Sequence, residues 1–248
     1  MKRLLQIGLL LAGMAWCPRA EAIAFVEAAN NFEAASASTL TITITVAAGN
    51  CAILGFRQGS NNTALSSVTD SATQTWTQVS TGSTGWDAST QGFMYFIANT
   101  AAITSVTVNL GANNANRAGV VMEFSGCATS SLEDASVKTS TASLVNSLTT
   151  AALTTTNADD ALITMTYLNG SRTGWTAGTN YTIPTGGQDS TGRIAMQYRI
   201  VAATQSAITT SMSWGGAAIQ AADIYAGFKS AAAGGTPVPK LTLLGVGP

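Results

Sequence analysis

Hydrophobic and polar side chains alternate along this chain with a period of two. Leu40-Thr41-Ile42-Thr43-Ile44-Thr45-Val46 sets four aliphatic side chains on one face of an extended segment and three threonines on the other, the pattern of a strand with one buried face. Shorter runs of similar character lie at 52–56, 76–79, 93–98, 105–110 and 119–124, separated by Gly, Asn, Ser and Thr clusters that favour turns. No segment carries a helical repeat with caps. The alanine-rich stretch 217–226 would suit a helix on propensity alone, but its position in a longer repeat assigns it to a strand.

That repeat has a spacing near 100 residues. Gly49-Asn50-Cys51-Ala52-Ile53-Leu54 matches Ala158-Asp159-Asp160-Ala161-Leu162-Ile163, and Trp76-Thr77 matches Trp175-Thr176. Phe93-Met94-Tyr95-Phe96-Ile97 matches Ala195-Met196-Gln197-Tyr198-Arg199, Val106-Thr107-Val108 matches Ile208-Thr209-Thr210, and Phe124 matches Phe228. The halves run over about 38–127 and 148–230. The stretch between them carries Leu144, Val145, Leu148 and Leu153, so it reads as strand and not as tether. Two stacked small sandwiches or one sandwich with interleaved halves would both fit. The expectation is a single all-β, double-sheet, jelly-roll-like sandwich over 23–230, since such folds combine two related four-strand motifs.

The first 22 residues have the layout of a secretory signal: Lys2 and Arg3, an apolar run from Leu4 to Ala15, and the small residues of Ala20-Glu21-Ala22 at a cleavage site. Cys17 follows the bulky Trp16, against a lipoprotein signal. The apolar run is shorter than the roughly 20 residues that span a bilayer, so no membrane span is expected in the mature chain. Cleavage near Ile23 would leave about 226 residues and reduce the 11 basic and 12 acidic residues to 8 and 11. The net charge becomes −3. So few cations cannot neutralise many phosphates, which argues against nucleic-acid and anionic-membrane partners. With 46% hydrophobic residues and little net charge, the chain lacks the signature of disorder. Its surface must be covered by Thr, Ser, Asn and Gln.

Several segments carry a family resemblance. Ile23-Ala24-Phe25-Val26, Ser67-Val68-Thr69-Asp70-Ser71 leading to Thr75-Trp76-Thr77, Glu123-Phe124-Ser125-Gly126, and Gly192-Arg193 leading to Gln197-Tyr198-Arg199-Ile200-Val201 together resemble a family of secreted bacterial β-sandwich modules of unassigned function. The resemblance covers most of 23–230 and implies fold and export, with no reaction attached. Cysteines at 51 and 127 depart from the usual pattern. The residues after 230, a flexible tail 231–248 containing Pro237-Val238-Pro239-Lys240-Leu241-Thr242-Leu243-Leu244-Gly245, resemble the start of a PEP-CTERM type sorting signal without its apolar helix and basic end.

Candidate chemistry is sparse. The chain has no histidine, which removes Ser-His-Asp and Cys-His catalysis and the commonest metal ligand. It has no phosphate-binding loop or dinucleotide fingerprint, so no nucleotide, cofactor or metal is expected. Glu133-Asp134 and Asp159-Asp160 are the only adjacent carboxylates. Neighbours on a strand point to opposite faces, and Asp at strand ends commonly caps turns, so neither pair reads as a catalytic dyad across a groove. Exposed aromatics that stack on sugar rings are the better candidates. Trp86, without a counterpart in the second half, the adjacent Asp87, and Tyr181 are the expected ligand-binding residues. Trp76 and Trp175, at matching places, read as core. Cys51 and Cys127 are expected to form a disulfide in an oxidising compartment, with Asp160 and Lys229 as an ion pair at the corresponding places. The expected function is a non-enzymatic, secreted or cell-surface module for adhesion, matrix or appendage structure, or glycan contact, its partner a glycan or another surface protein. A carboxylate-based glycan-processing enzyme is the alternative.

Overall fold

A computed structural model of the chain describes residues 22–59, 65–87, 90–98 and 100–231. The signal, cleavage-site and sorting-tail readings fall outside the described residues. Every regular element described is a strand. The first half supplies β1 (Ala24–Glu33), β2 (Ala37–Val46), β3 (Cys51–Arg57), β4 (Leu65–Asp70), β5 (Thr77–Gln78), β6 (Gly92–Ile97), β7 (Ile103–Asn114) and β8 (Arg117–Ser125). The second supplies β9 (Glu133–Val145), β10 (Ser147–Thr149), β11 (Asp159–Leu168), β12 (Ile194–Ala202), β13 (Ser211–Ser213) and β14 (Ile219–Lys229). The alanine-rich segment is strand β14, because β11 on one side and β9 on the other take up its backbone hydrogen bonds.

All pairing is antiparallel, in sheets ordered β2-β7-β4, β1-β8-β3-β6-β5, β12-β11-β14-β9 and β10-β13. No sheet among the described residues mixes strands of the two halves, so the halves stack and do not interleave. Leu40, Ile42, Ile44 and Val46 of β2 pack with Leu54, Phe56, Val106, Val108 and Val121 inside the first half. The second half has smaller interior clusters around Leu162, Tyr181 and Tyr225 and around Leu168, Trp214 and Ile219. The largest cluster lies between the halves, where Ile53, Met94, Val120, Met122 and Phe124 meet Ile163, Met165, Tyr167, Met196, Ile224 and Phe228. Strands β3, β8, β11 and β14 are therefore covered on both faces, which is why their sequences read as near-continuous apolar runs. The sheets approach closely at Gly55, where an added Cβ would lie 2.7 Å from Met196 Sδ and 2.8 Å from Met165 Cγ.

The two central sheets share more than strand order. Ile53 pairs with Phe96 and Met122; Ile163 pairs with Tyr198 and Ala226. Shifts of 110 residues for β3, 102 for β6 and 104 for β8 carry the first set of pairs onto the second along the sheet. Even the bulge is kept: β1 slips between Phe25 and Glu27 opposite β8, and the β9–β14 ladder slips between Phe228 and Gly227, opposite Glu133 and Ala135. This register corrects two sequence matches. Thr77 pairs with Phe96 and Thr182 with Tyr198, so the residue in the place of Trp76 is Tyr181. Trp175 instead precedes Thr176, which bridges to Ser213. Cys51 corresponds to Ala161, one residue away from Asp160.

Cys51 and Cys127 are joined, with Cα atoms 6.0 Å apart. The bridge ties the start of β3 to the chain leaving β8, as the antiparallel placing of those strands requires. Closing 76 residues stabilises by about 4 kcal/mol in the chain-entropy account. Asp160 and Lys229 do stand opposite each other on β11 and β14, but Asp160 bonds Asn157 and Asp134 and the anticipated ion pair is not formed.

Candidate functional site

After β5, the segment from Val79 to Asp87 crosses from the first half to β9 of the second. Gly82, at φ +72°, makes the turn that few side chains tolerate. Ser80 donates its backbone N–H and its hydroxyl to Glu133 (2.9 and 2.7 Å), Thr81 N–H donates to Ser136 Oγ (3.0 Å), and Lys138 Nζ donates to Ser83 O (2.8 Å). These bonds fasten the loop to β9. Thr84 then pairs with Gly92 in both directions, and Trp86 folds underneath.

Trp86 is 9% exposed and packs in the central cluster. Its indole lies 4.9 Å from the Tyr167 ring, whose hydroxyl donates to Thr84 O. Tyr167 has the larger burial, and desolvation pushes its phenol above the ordinary range. The exposed Trp86 anticipated from its Gly, Ser and Thr neighbours is thus corrected: those neighbours form the loop that covers it. Trp76 is also buried, with Nε1 donating to Asp70 Oδ2 at 3.0 Å. Trp175 is the half-exposed indole of the three, against Trp214 at 5.5 Å. Tyr181 is corrected as well. It is buried, its hydroxyl bonds that of Tyr225, and burial raises the pKa of both phenols.

Asp87 remains at the surface, where its carboxylate accepts from Thr90 N–H at 2.8 Å. Beside it opens a cleft of about 430 Å³, walled by Ser83, Asp87 and Gln91 on the loop side and Lys138, Thr139 and Ser140 on β9. The walls present one carboxylate, one ammonium, one amide and several hydroxyls. Such a set offers donors and acceptors without net charge, and it excludes a flat aromatic platform. Of the expected ligand-binding residues only Asp87 reaches this cleft. Lys138 and Ser140 were not legible as site residues, because their approach to Ser83 depends on the stacking of the halves.

The sequence's two carboxylate pairs are rearranged. Glu133 holds Ser80. Asp134 accepts from Thr156 N–H, Thr156 Oγ1 and Asn157 N–H, and these bonds hold its pKa below the usual carboxylate value despite its partial burial. Asp160, 0% exposed, accepts from Asn157 Nδ2 at 3.0 Å and meets Asp134 side chain to side chain. Burial first, then the Asp134 charge, push its pKa up to about 6. The two carboxyls clamp the 155–157 turn. In the first half Glu123 does the same task, accepting from Ala47 N–H and Asn50 Nδ2; the register places Gly227 where Glu123 stands.

No group of three or more Cys, Asp or Glu that could hold a metal occurs among the described residues, and no described helix is long and apolar enough to cross a membrane. No protein-family model matches the chain, and no curated protein matches it.

Proposed function

We propose that the chain is an exported, non-enzymatic module in which two copies of a jelly-roll-type motif, stacked back to back, present a polar cleft to a neutral glycan or other polyhydroxylated partner. One observation carries the reading: the cleft beside Ser83, Asp87 and Gln91 and strand β9 is lined by these residues, Lys138 and hydroxyl side chains, a mixture matched by ring hydroxyls that both donate and accept. Its charges offset each other, so a neutral sugar suits it better than a uronate or a phosphate. A surface or matrix setting is supported by the signal-like leader, the polar but weakly charged surface and the disulfide. Rigid walls help such a site, because each immobilised side chain costs about 0.5–1.5 kcal/mol on binding. Lys138 and the Ser80–Glu133 clamp have that ordering in place beforehand.

The test is retention of the exported chain on a panel of neutral and acidic polysaccharides, followed by titration of the best one. Retention on a neutral glycan that falls at least tenfold in D87N and Q91A, with W175A unchanged, is the expected result. No retention on any neutral glycan, or loss only in W175A, would remove the cleft from consideration.

A further inference from the structure

The interior of the second half differs in kind from that of the first. On β3 the interior face carries Leu54 and Phe56; the register places Thr164 and Thr166 of β11 there. On β6 the interior residues Phe93 and Tyr95 give way to Ala195 and Gln197 of β12, and on β8 Gly119 gives way to Asp223 of β14. Two phenylalanines and a leucine are replaced by two threonines and an alanine, and a carboxylate enters. The second interior has lost apolar bulk and gained oxygen.

These oxygens are buried and unpartnered. Asp223 and Thr166 are direct cross-strand partners, with Thr164 one pair further along β11. The three are at most 1% exposed, and neither Asp223 carboxylate oxygen nor either threonine hydroxyl has a hydrogen-bond partner of normal geometry. Thr139 of β9, opposite Asp223, leans its backbone and hydroxyl toward the carboxylate, and that hydroxyl also accepts from Ala151 N–H at 2.7 Å. Gln197 is occupied elsewhere, with Oε1 accepting from Gly178 N–H and Nε2 donating to Thr210 Oγ1. Buried polar groups in folded proteins are nearly always satisfied, by a bound water or other guest where the protein supplies no partner.

We propose that Asp223, Thr164 and Thr166 form an internal site for a small monovalent cation, sodium or potassium, held by oxygen atoms alone. A carboxylate with neutral hydroxyls is a hard-donor set, and a single negative charge is neutralised by a single positive one. The surrounding elements supply no competing cation next to it. Thr139 faces Asp223 from β9, Thr164 and Thr166 from β11, and Tyr225 follows it on β14. Tyr181 meets Tyr225, Asp160 and Arg199 lie further along the same face, and Tyr167 acts from the opposite face of the sheet.

The test measures thermal unfolding at pH 8 and fixed ionic strength, with choline chloride replaced stepwise by sodium or potassium chloride and with calcium chloride as a third arm. A saturable rise in Tm with sodium or potassium, abolished in D223N and weakened in T166V, is expected. The T166V response carries the test if D223N does not fold. Equal Tm in choline, sodium and potassium, a response to calcium alone, or a crystal structure from sodium-rich solution with only water at Asp223 would each overturn the assignment.

Discussion

The Asp134–Asp160 pair makes the pH dependence of stability a direct test of the packing around β11. Asp160 is fully buried and its pKa lies near 6, against about 3.9 for a carboxyl in an unfolded chain. A pKa raised on folding means that the native state binds the proton more tightly. This stabilisation is complete below the unfolded value and is lost as pH rises through about 6. At about 1.4 kcal/mol per unit, the shift amounts to about 3 kcal/mol between pH 4 and pH 8. Asp134 works in the opposite sense, but its pKa is lowered, so it stays ionised over most of that range and subtracts only near the acid end. The perturbation is Asp160→Asn, whose amide can donate to Asp134 as the protonated acid does without titrating. Urea unfolding followed by tryptophan fluorescence at pH 4.5, 6 and 7.5 should show wild type gaining stability toward acid. D160N should be less pH-dependent by up to about 3 kcal/mol and no less stable than wild type at pH 7.5. Asp223, raised to about 7, contributes in the same direction, so the clean quantity is the difference between wild type and D160N. Parallel pH profiles for the two proteins would refute the raised Asp160 pKa.

Trp86→Ala should lower stability by about 3–5 kcal/mol, read as a loss of Tm, because the indole packs on Tyr167 beneath the loop; a Tm within a degree of wild type would place it at the surface. Reducing Cys51–Cys127, or replacing both residues by serine, should cost about 2–5 kcal/mol and should change the mass of the oxidised chain by two daltons on reduction. Gly55→Val should destabilise by at least about 1–3 kcal/mol, since its Cβ enters the space of Met165 and Met196, and an unchanged denaturation midpoint would contradict the close stacking. A fragment ending near residue 130 should associate or precipitate because Ile53, Met94, Met122 and Phe124 lose their cover; a monomeric, soluble fragment by light scattering would show that the halves do not depend on one another.

How much of this was legible in the chain depends on the range over which each signal acts. The alternation in β2 is local, and its four aliphatics are buried while its threonines are exposed, as period two demands. The disulfide follows from two cysteines placed at the start of one strand and just past the end of its neighbour. The matching of Trp76 with Trp175 fails because shared residue identity does not fix register: the hydrogen-bond ladder equates Trp76 with Tyr181, two aromatics that each precede a short pairing onto the adjacent strand. Trp86 fails for a different reason. Its neighbours are turn formers, and turn formers mark a loop without saying what the loop covers; only the stacking of the halves brings Tyr167 beneath the indole. Asp134 and Asp160 are each adjacent in sequence to another carboxylate, whereas their interaction with one another is made between β9 and β11 beside the 155–157 turn.

The same comparison explains why one motif has two interiors. A sheet face can change from apolar to polar only if the lost burial is made up elsewhere, and in this chain the apolar cluster between the halves is shared by both. At about 25 cal/mol per Å² of apolar surface removed from water, that shared face adds to the second half's own interior clusters, which are divided on either side of Thr164, Thr166 and Asp223. The first half keeps Leu54, Phe56, Phe93 and Val121 packed under β2 and β7. Burial on the shared face thus offsets part of the apolar surface the second interior has lost, and polar residues introduced there are left without partners.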